Sequence, residues 1–254
     1  MTNKTALIEK KINFFWINFV LTVIALAAPW FGHYISDHEL IKSTFSFLGF
    51  GFLVLITLYF KTINADLTFS INYFKLSLLI LFLFGTLSIF WSTNIDFTIN
   101  KWLLWLTALF GFLVANNLAN KTATLIKLSW GLLIAGGFIA LVGILQHLFD
   151  PFLLTQYAAP ASTFANRNIA TQPLILILPV FLFLFFSERT QNIQAWLLSI
   201  ITSLILSYIF YSISRGAWIS IFIQSFLIIA YLCHYKFNKY SWISWNKNKT
   251  YATI

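Results

Sequence analysis

Charge is scarce in this sequence. Only 9% of its 254 residues are Asp, Glu, Lys or Arg, against about 25% in a soluble domain. Water would not tolerate such a surface, so the expected solvent is lipid. The single cysteine, Cys233, excludes an internal disulfide and says nothing about redox compartment. No P-loop, G-x-G-x-x-G or H-E-x-x-H pattern occurs. No charge falls deep inside an apolar run, which argues against ion pumps and proton-coupled transporters. His33, Asp37, His38 and Glu39 cluster in a first outer loop but lack any recognised metal spacing. No metal or cofactor is expected.

What the chain has in quantity is apolar and aromatic residues. The hydrophobic share is 59%, with 29 Phe and 10 Trp, and the mean hydropathy is +0.82. A bilayer core takes about 20 apolar residues as helix, and backbone groups in lipid must bond within their own segment. The apolar runs therefore predict about eight helices, near Phe14–Ile35, Thr44–Phe60, Phe74–Trp91, Trp102–Leu118, Thr124–Phe149, Ile169–Ser187, Ala195–Ile213 and Ala217–Tyr235. The expected fold is an all-α, polytopic transmembrane bundle forming one domain over residues 1–254. Ala25-Leu26-Ala27 resembles a signal-peptidase site, but the apolar run continues to Phe31, so an uncleaved signal anchor is expected.

The net charge of +9 reads as membrane orientation, because the basic residues are scattered between spans; no nucleic acid is expected. If the spans alternate, Lys4, Lys10, Lys11, Lys61, Lys75, Lys121, Lys127, Arg189, Lys236, Lys239, Lys247 and Lys249 share one side. Lys42, Lys101, Arg167 and Arg215 take the other. The positive-inside rule then puts both termini in the cytoplasm. Pro173 and Pro179 fall in the sixth span, where neighbours can re-satisfy the backbone. Gly136, Gly137, Ala140 and Gly143 in the fifth allow close helix approach. From Tyr235 to Trp245, aromatics alternate with Lys as at a headgroup boundary.

Two of the three arginines, Arg167 and Arg215, lie on the outer side, against the charge trend. Guanidinium groups grip phosphate oxygens in pairs; the plain alternative is snorkelling to headgroups. Arg167 stands in Ser162-Thr163-Phe164-Ala165-Asn166-Arg167-Asn168, just before the sixth span. Asn168 is expected to cap that helix, leaving free amides for an anion. Arg215 stands in Ser212-Ile213-Ser214-Arg215-Gly216, a tight hairpin whose turn Gly216 would permit. Gln146, His147 and Asp150 end the fifth span on the same side; His147 is a candidate base or acceptor ligand, and a lone interfacial histidine is the plain alternative. Ser92, Thr93 and Asp96 read as loop capping.

These stretches, with Phe84-Gly85-Thr86-Leu87-Ser88-Ile89-Phe90-Trp91-Ser92, Gly143-Ile144-Leu145-Gln146 and Ser212-Ile213-Ser214-Arg215-Gly216-Ala217-Trp218, resemble the O-antigen ligase and polymerase superfamily of bacterial membrane proteins. The likeness runs from about Phe74 to Tyr235. It implies a metal-free glycosyltransferase in the bacterial inner membrane. Its donor would be an undecaprenyl-pyrophosphate-linked glycan. The acceptor would be a hydroxyl of lipid A core, another glycan or a protein, at the periplasmic face. It implies donor-pyrophosphate binding by Arg167 and Arg215, with Asn166 and Asn168 beside them and Gln146 and His147 as further candidates. Ala165 stands where the family often has Gly. The family's histidine-bearing outer loop would follow Ile254, so the resemblance implies a chain lacking that catalytic histidine. A transporter or flippase of lipid-linked substrates, with Asn116, Asn117, Gln172 and Gln224 lining a path, is the competing expectation; a non-catalytic remnant is another.

Overall fold

The computed structural model describes residues 15–30, 38–63, 73–118, 122–187 and 192–234. Those residues are all-α, with no strand among them. The helices are α1 (Phe15–Leu26), α2 (His38–Ile63), α3 (Tyr73–Leu87), α4 (Ile95–Leu118), α5 (Thr122–Leu148), α6 (Arg167–Phe186), α7 (Asn192–Ser212) and α8 (Arg215–His234). A 3-10 turn, Ser88–Trp91, follows α3. Among the described residues, five helices are long and apolar enough to cross a membrane. The chain is a multi-pass membrane protein in contact with the lipid bilayer.

Most helices follow the apolar runs, and the differences have local causes. The first helix stops at Leu26 rather than near Ile35. Pro29 has no N–H to continue the ladder and pushes Ala28 out of helical geometry. The second begins at His38, so His38, Glu39 and Lys42 are helical rather than loop residues. The fourth begins at Ile95 because Asn94 accepts from the Phe97 amide at 3.0 Å. His33, Asp37, the N-terminal lysines, Lys121, Arg189 and the aromatic–Lys tail lie outside the described residues.

The chain divides into two compact units. One takes the chain up to Val20 and Ser43–Leu125. There Trp16 meets Phe52 edge to face at 5.4 Å, and Phe47 lies 6.1 Å from Phe110. A Cβ on Gly49 would come within 2.7 Å of Val20 Cγ1. Trp102 Nε1 donates to Thr86 Oγ1 at 2.9 Å, tying α4 to α3. Along α2, Phe45, Leu48, Phe52, Leu55 and Tyr59 recur at helical spacing and are all exposed, as a lipid-facing stripe requires.

The other unit takes Leu21–Lys42 and the chain from Ile126 onward. Its core joins α5, α6 and α7, with Leu133, Ala140, Leu174, Leu184, Leu198, Ile205, Tyr208 and Ile209 fully buried. Lipid tails are as apolar as Leu, so close packing and polar contacts hold such helices together. The small residues of α5 permit that closeness. A Cβ on Gly136 would sit 3.0 Å from Ile177 Cδ1, and one on Gly137 3.2 Å from Ile201 Cγ2. One on Gly143 would collide with the Tyr208 ring.

Two prolines interrupt α6. Pro179 supplies no N–H to the Ile175 carbonyl, and Gln224 Nε2 of α8 donates to that oxygen instead, at 3.3 Å. Gln224 thus closes a backbone gap. Exposed Trp218, Phe222 and Phe226 recur every four residues along α8.

Candidate functional site

At one end of the second unit, the end of α5, the 149–166 loop, the start of α6 and the α7–α8 turn come together. Asp150 adopts φ 40°, a left-handed exit from α5, and Pro151 bars continuation. The loop is then pinned inward at successive residues. Tyr208 Oη, fully buried, donates to the Pro160 carbonyl at 2.8 Å. Gln156 Oε1 accepts from the Ala161 amide at 2.8 Å. Ser162, with φ 54°, donates through Oγ to the Ile139 carbonyl of α5. Gln146 Nε2 donates to the Ser162 carbonyl at 2.9 Å. Thr163 Oγ1 donates to the Ala25 carbonyl at 2.6 Å. Ser162 and Thr163 are buried polar residues with partners, as burial demands.

Arg167 opens α6, one residue later than its cap. The cap is Asn166, in extended geometry, whose Oδ1 accepts from the Asn168 amide at 2.8 Å. Asn168 was the expected cap; it is instead the second helical residue, and it is exposed. The difference follows from Asn166 lying parallel to Ala158 in a short backbone bridge, which holds it extended as an N-cap must be. The amide cradle expected at this helix start is also engaged. Arg167 N donates to Ala158 O at 3.0 Å, and the Ile169 and Ala170 amides both donate to Asn166 O. What remains for a ligand is the half-buried guanidinium, which gives Nη1 to Ala159 O at 3.1 Å. Arg has five N–H donors, and among the described residues only this one is engaged.

Arg215 opens α8 and is exposed. Gly216 is not the turn residue: it is helical, and no glycine has positive φ among the described residues. Ile213 makes the turn with φ 51°, and Ser212 Oγ accepts from the Ser214 amide at 3.4 Å. Among the described residues, nothing accepts from the Arg215 and Gly216 amides. The first turn of α8 therefore offers open N–H groups at a positive dipole end, unlike that of α6. The two helix starts meet: the Thr171 hydroxyl of α6 gives its one proton to the Asn168 carbonyl at 3.1 Å and lies 3.4 Å from Ser214 Oγ, from which it can accept.

The other candidates separate. Gln146 is buried, its amide spent on the loop, and its Oε1 has no partner among the described residues. His147 is exposed and stacks on Tyr211 at 4.4 Å with 27° between rings. That stack puts an imidazole beside the α7–α8 turn. No group of three or more His, Cys, Asp or Glu among the described residues could hold a metal. The chain matches no protein-family model, no curated protein and no solved structure.

Tyr208, Thr163, Thr171 and Ser214 hold the arginines' elements in place; Thr163 and Ser214 lie in the arginine-bearing stretches, with nothing in the sequence to mark them as supports. Tyr208 and Thr171 sit inside apolar runs and carry no motif. In the sequence, Lys42 is marked only as one of the few basic residues on the outer side.

Proposed function

We propose that this end of the second unit binds the pyrophosphate of a lipid-linked glycan and transfers the glycan to an acceptor hydroxyl. This is the donor half of an O-antigen ligase-like reaction at the periplasmic face of a bacterial inner membrane. The observation that carries the reading is that Arg167 and Arg215 each open a helix, and that those two helix starts bond to each other. A donor phosphate there would meet two guanidinium groups and the open amides of α8. In transfer, the bond between the sugar's anomeric carbon and the pyrophosphate oxygen breaks as the acceptor oxygen bonds to that carbon. The acceptor's proton passes to solvent water, and the lipid pyrophosphate leaves with increased negative charge. Fixed cations aimed at that charge lower the barrier.

The arginines also support the orientation. They stand with Lys42 on the side that carries few basic residues across the whole sequence, which the positive-inside rule assigns to the periplasm, with both termini cytoplasmic. The competing transport reading draws less support. Gln224, one of its path residues, is bonded to the backbone of α6.

The test is complementation of a strain lacking the gene, with surface glycans resolved on gels. Arg167→Ala and Arg215→Ala are each expected to lower transfer by about a hundredfold or more, with insertion unchanged by immunoblot of membranes. Arg→Lys at either position should recover little, because a point charge cannot grip two oxygens. Wild-type glycan profiles from both alanine variants would defeat the proposal.

A further inference from the structure

Lys42 is half-buried in the first turns of α2, and its ammonium is fully committed. It donates to Ile24 O at 3.0 Å, to Ala25 O at 3.2 Å and to Thr163 Oγ1 at 2.9 Å. The ring of Phe164 lies 4.1 Å from Nζ, within cation–π range. An ammonium has three donors, so none is left for a ligand. All its acceptors are neutral.

Each acceptor has a reason to be there. The last carbonyls of a helix lack intrahelical partners, and α1 ends at Leu26. The Ala25 carbonyl would look four residues on, to Pro29, which has no N–H. Lys42 and the Thr163 hydroxyl both fill that gap, and a cation suits the negative end of the helix dipole. Thr163 gives its proton to Ala25 O and so turns a lone pair to Lys42. Thr163 and Phe164 lie only four and three residues before Arg167.

We propose that Lys42 is a positioning residue: it clamps the Arg167 loop onto the end of α1 through Thr163 and Phe164, and so sets where the guanidinium stands. Its catalytic consequence rests on the donor-site reading above; the clamp itself does not. The committed donors make it a strut rather than a phosphate ligand.

The clamp is tested apart from transfer. In a Cys233→Ser background, Ala165→Cys reports loop exposure through its rate of alkylation by a membrane-impermeant maleimide. Lys42→Met and Thr163→Val are each expected to raise that rate by about tenfold, as loss of bonds to a charged group allows. Thr163→Ser keeps the hydroxyl and should react like the parent. Lys42→Arg should react fast despite its charge, because a planar fork does not fit three convergent acceptors. If Lys42→Met does not insert, Thr163→Val carries the same test. Parent-like rates in Lys42→Met and Thr163→Val overturn the clamp. If the rates rise and transfer is unaffected, the clamp stands and the donor-site reading falls. If they rise and donor KM rises more than kcat falls, with Thr163→Ser restoring both, clamp and reading stand together.

Discussion

Gly143 and Tyr208 show how one residue's absence of a side chain places another's. The Tyr208 ring crosses α5 where a Cβ on Gly143 would collide with its Cδ2 and Cε2 atoms. The crossing carries Tyr208 Oη to the Pro160 carbonyl at 2.8 Å. Gly143→Ala should therefore cost about 1–3 kcal/mol through overpacking. Tyr208→Phe, which leaves the ring and strands the carbonyl, should cost about 1–3 kcal/mol. Thermal unfolding in detergent measures both; a Gly143→Ala protein as stable as the parent would refute the close crossing. The two candidate-site arginines were visible in the sequence because charge stands out in an apolar chain. Their supports were not, because Thr171, Ser214 and Tyr208 earn their roles only through partners distant in sequence.

Among the elements, α6 is the least regular. Pro179 leaves the Ile175 carbonyl without its helical donor, and Gln224 of α8 supplies one. Gln224→Leu should then destabilise by about 0.5–2 kcal/mol, the range for polar contacts between membrane helices. Pro179→Ala restores the backbone donor, so Gln224→Leu should cost almost nothing in that background. A double-mutant cycle in denaturant reads the coupling; equal costs with and without Pro179 would show that Gln224 serves another purpose. Helix limits followed the same local chemistry. Pro29 ended α1 early and Asn94 started α4 early, signals that hydropathy windows pass over because each is a single residue. The α6 cap moved from Asn168 to Asn166 for a different reason. Both are good caps, and the Ala158 bridge, formed by the folded loop, chose between them.

For the whole molecule, orientation decides whether the arginines can meet a periplasmic donor. In a Cys233→Ser background, Ile213→Cys, exposed in the α7–α8 turn, should react with an impermeant maleimide in intact cells. Asn192→Cys, at the far end of α7, should react only after permeabilisation. The reverse pattern would put Arg167 and Arg215 in the cytoplasm and remove the proposed donor site.

Composition and hydropathy by themselves determined that this chain is helical and lives in lipid. Apolar runs of membrane length leave the backbone no other way to satisfy its hydrogen bonds, and that constraint is local. They also marked Arg167 and Arg215 as exceptions to the charge trend. Only the tertiary structure decided that the amides of α6 are spent on its own loop while the first ones of α8 are open among the described residues. It alone joined Lys42 to Thr163 across 121 residues and Thr163 to Ala25 across 138. Such bonds depend on which orphaned carbonyls and hydroxyls the packed helices bring within 3 Å of one another, and no single stretch of sequence carries that.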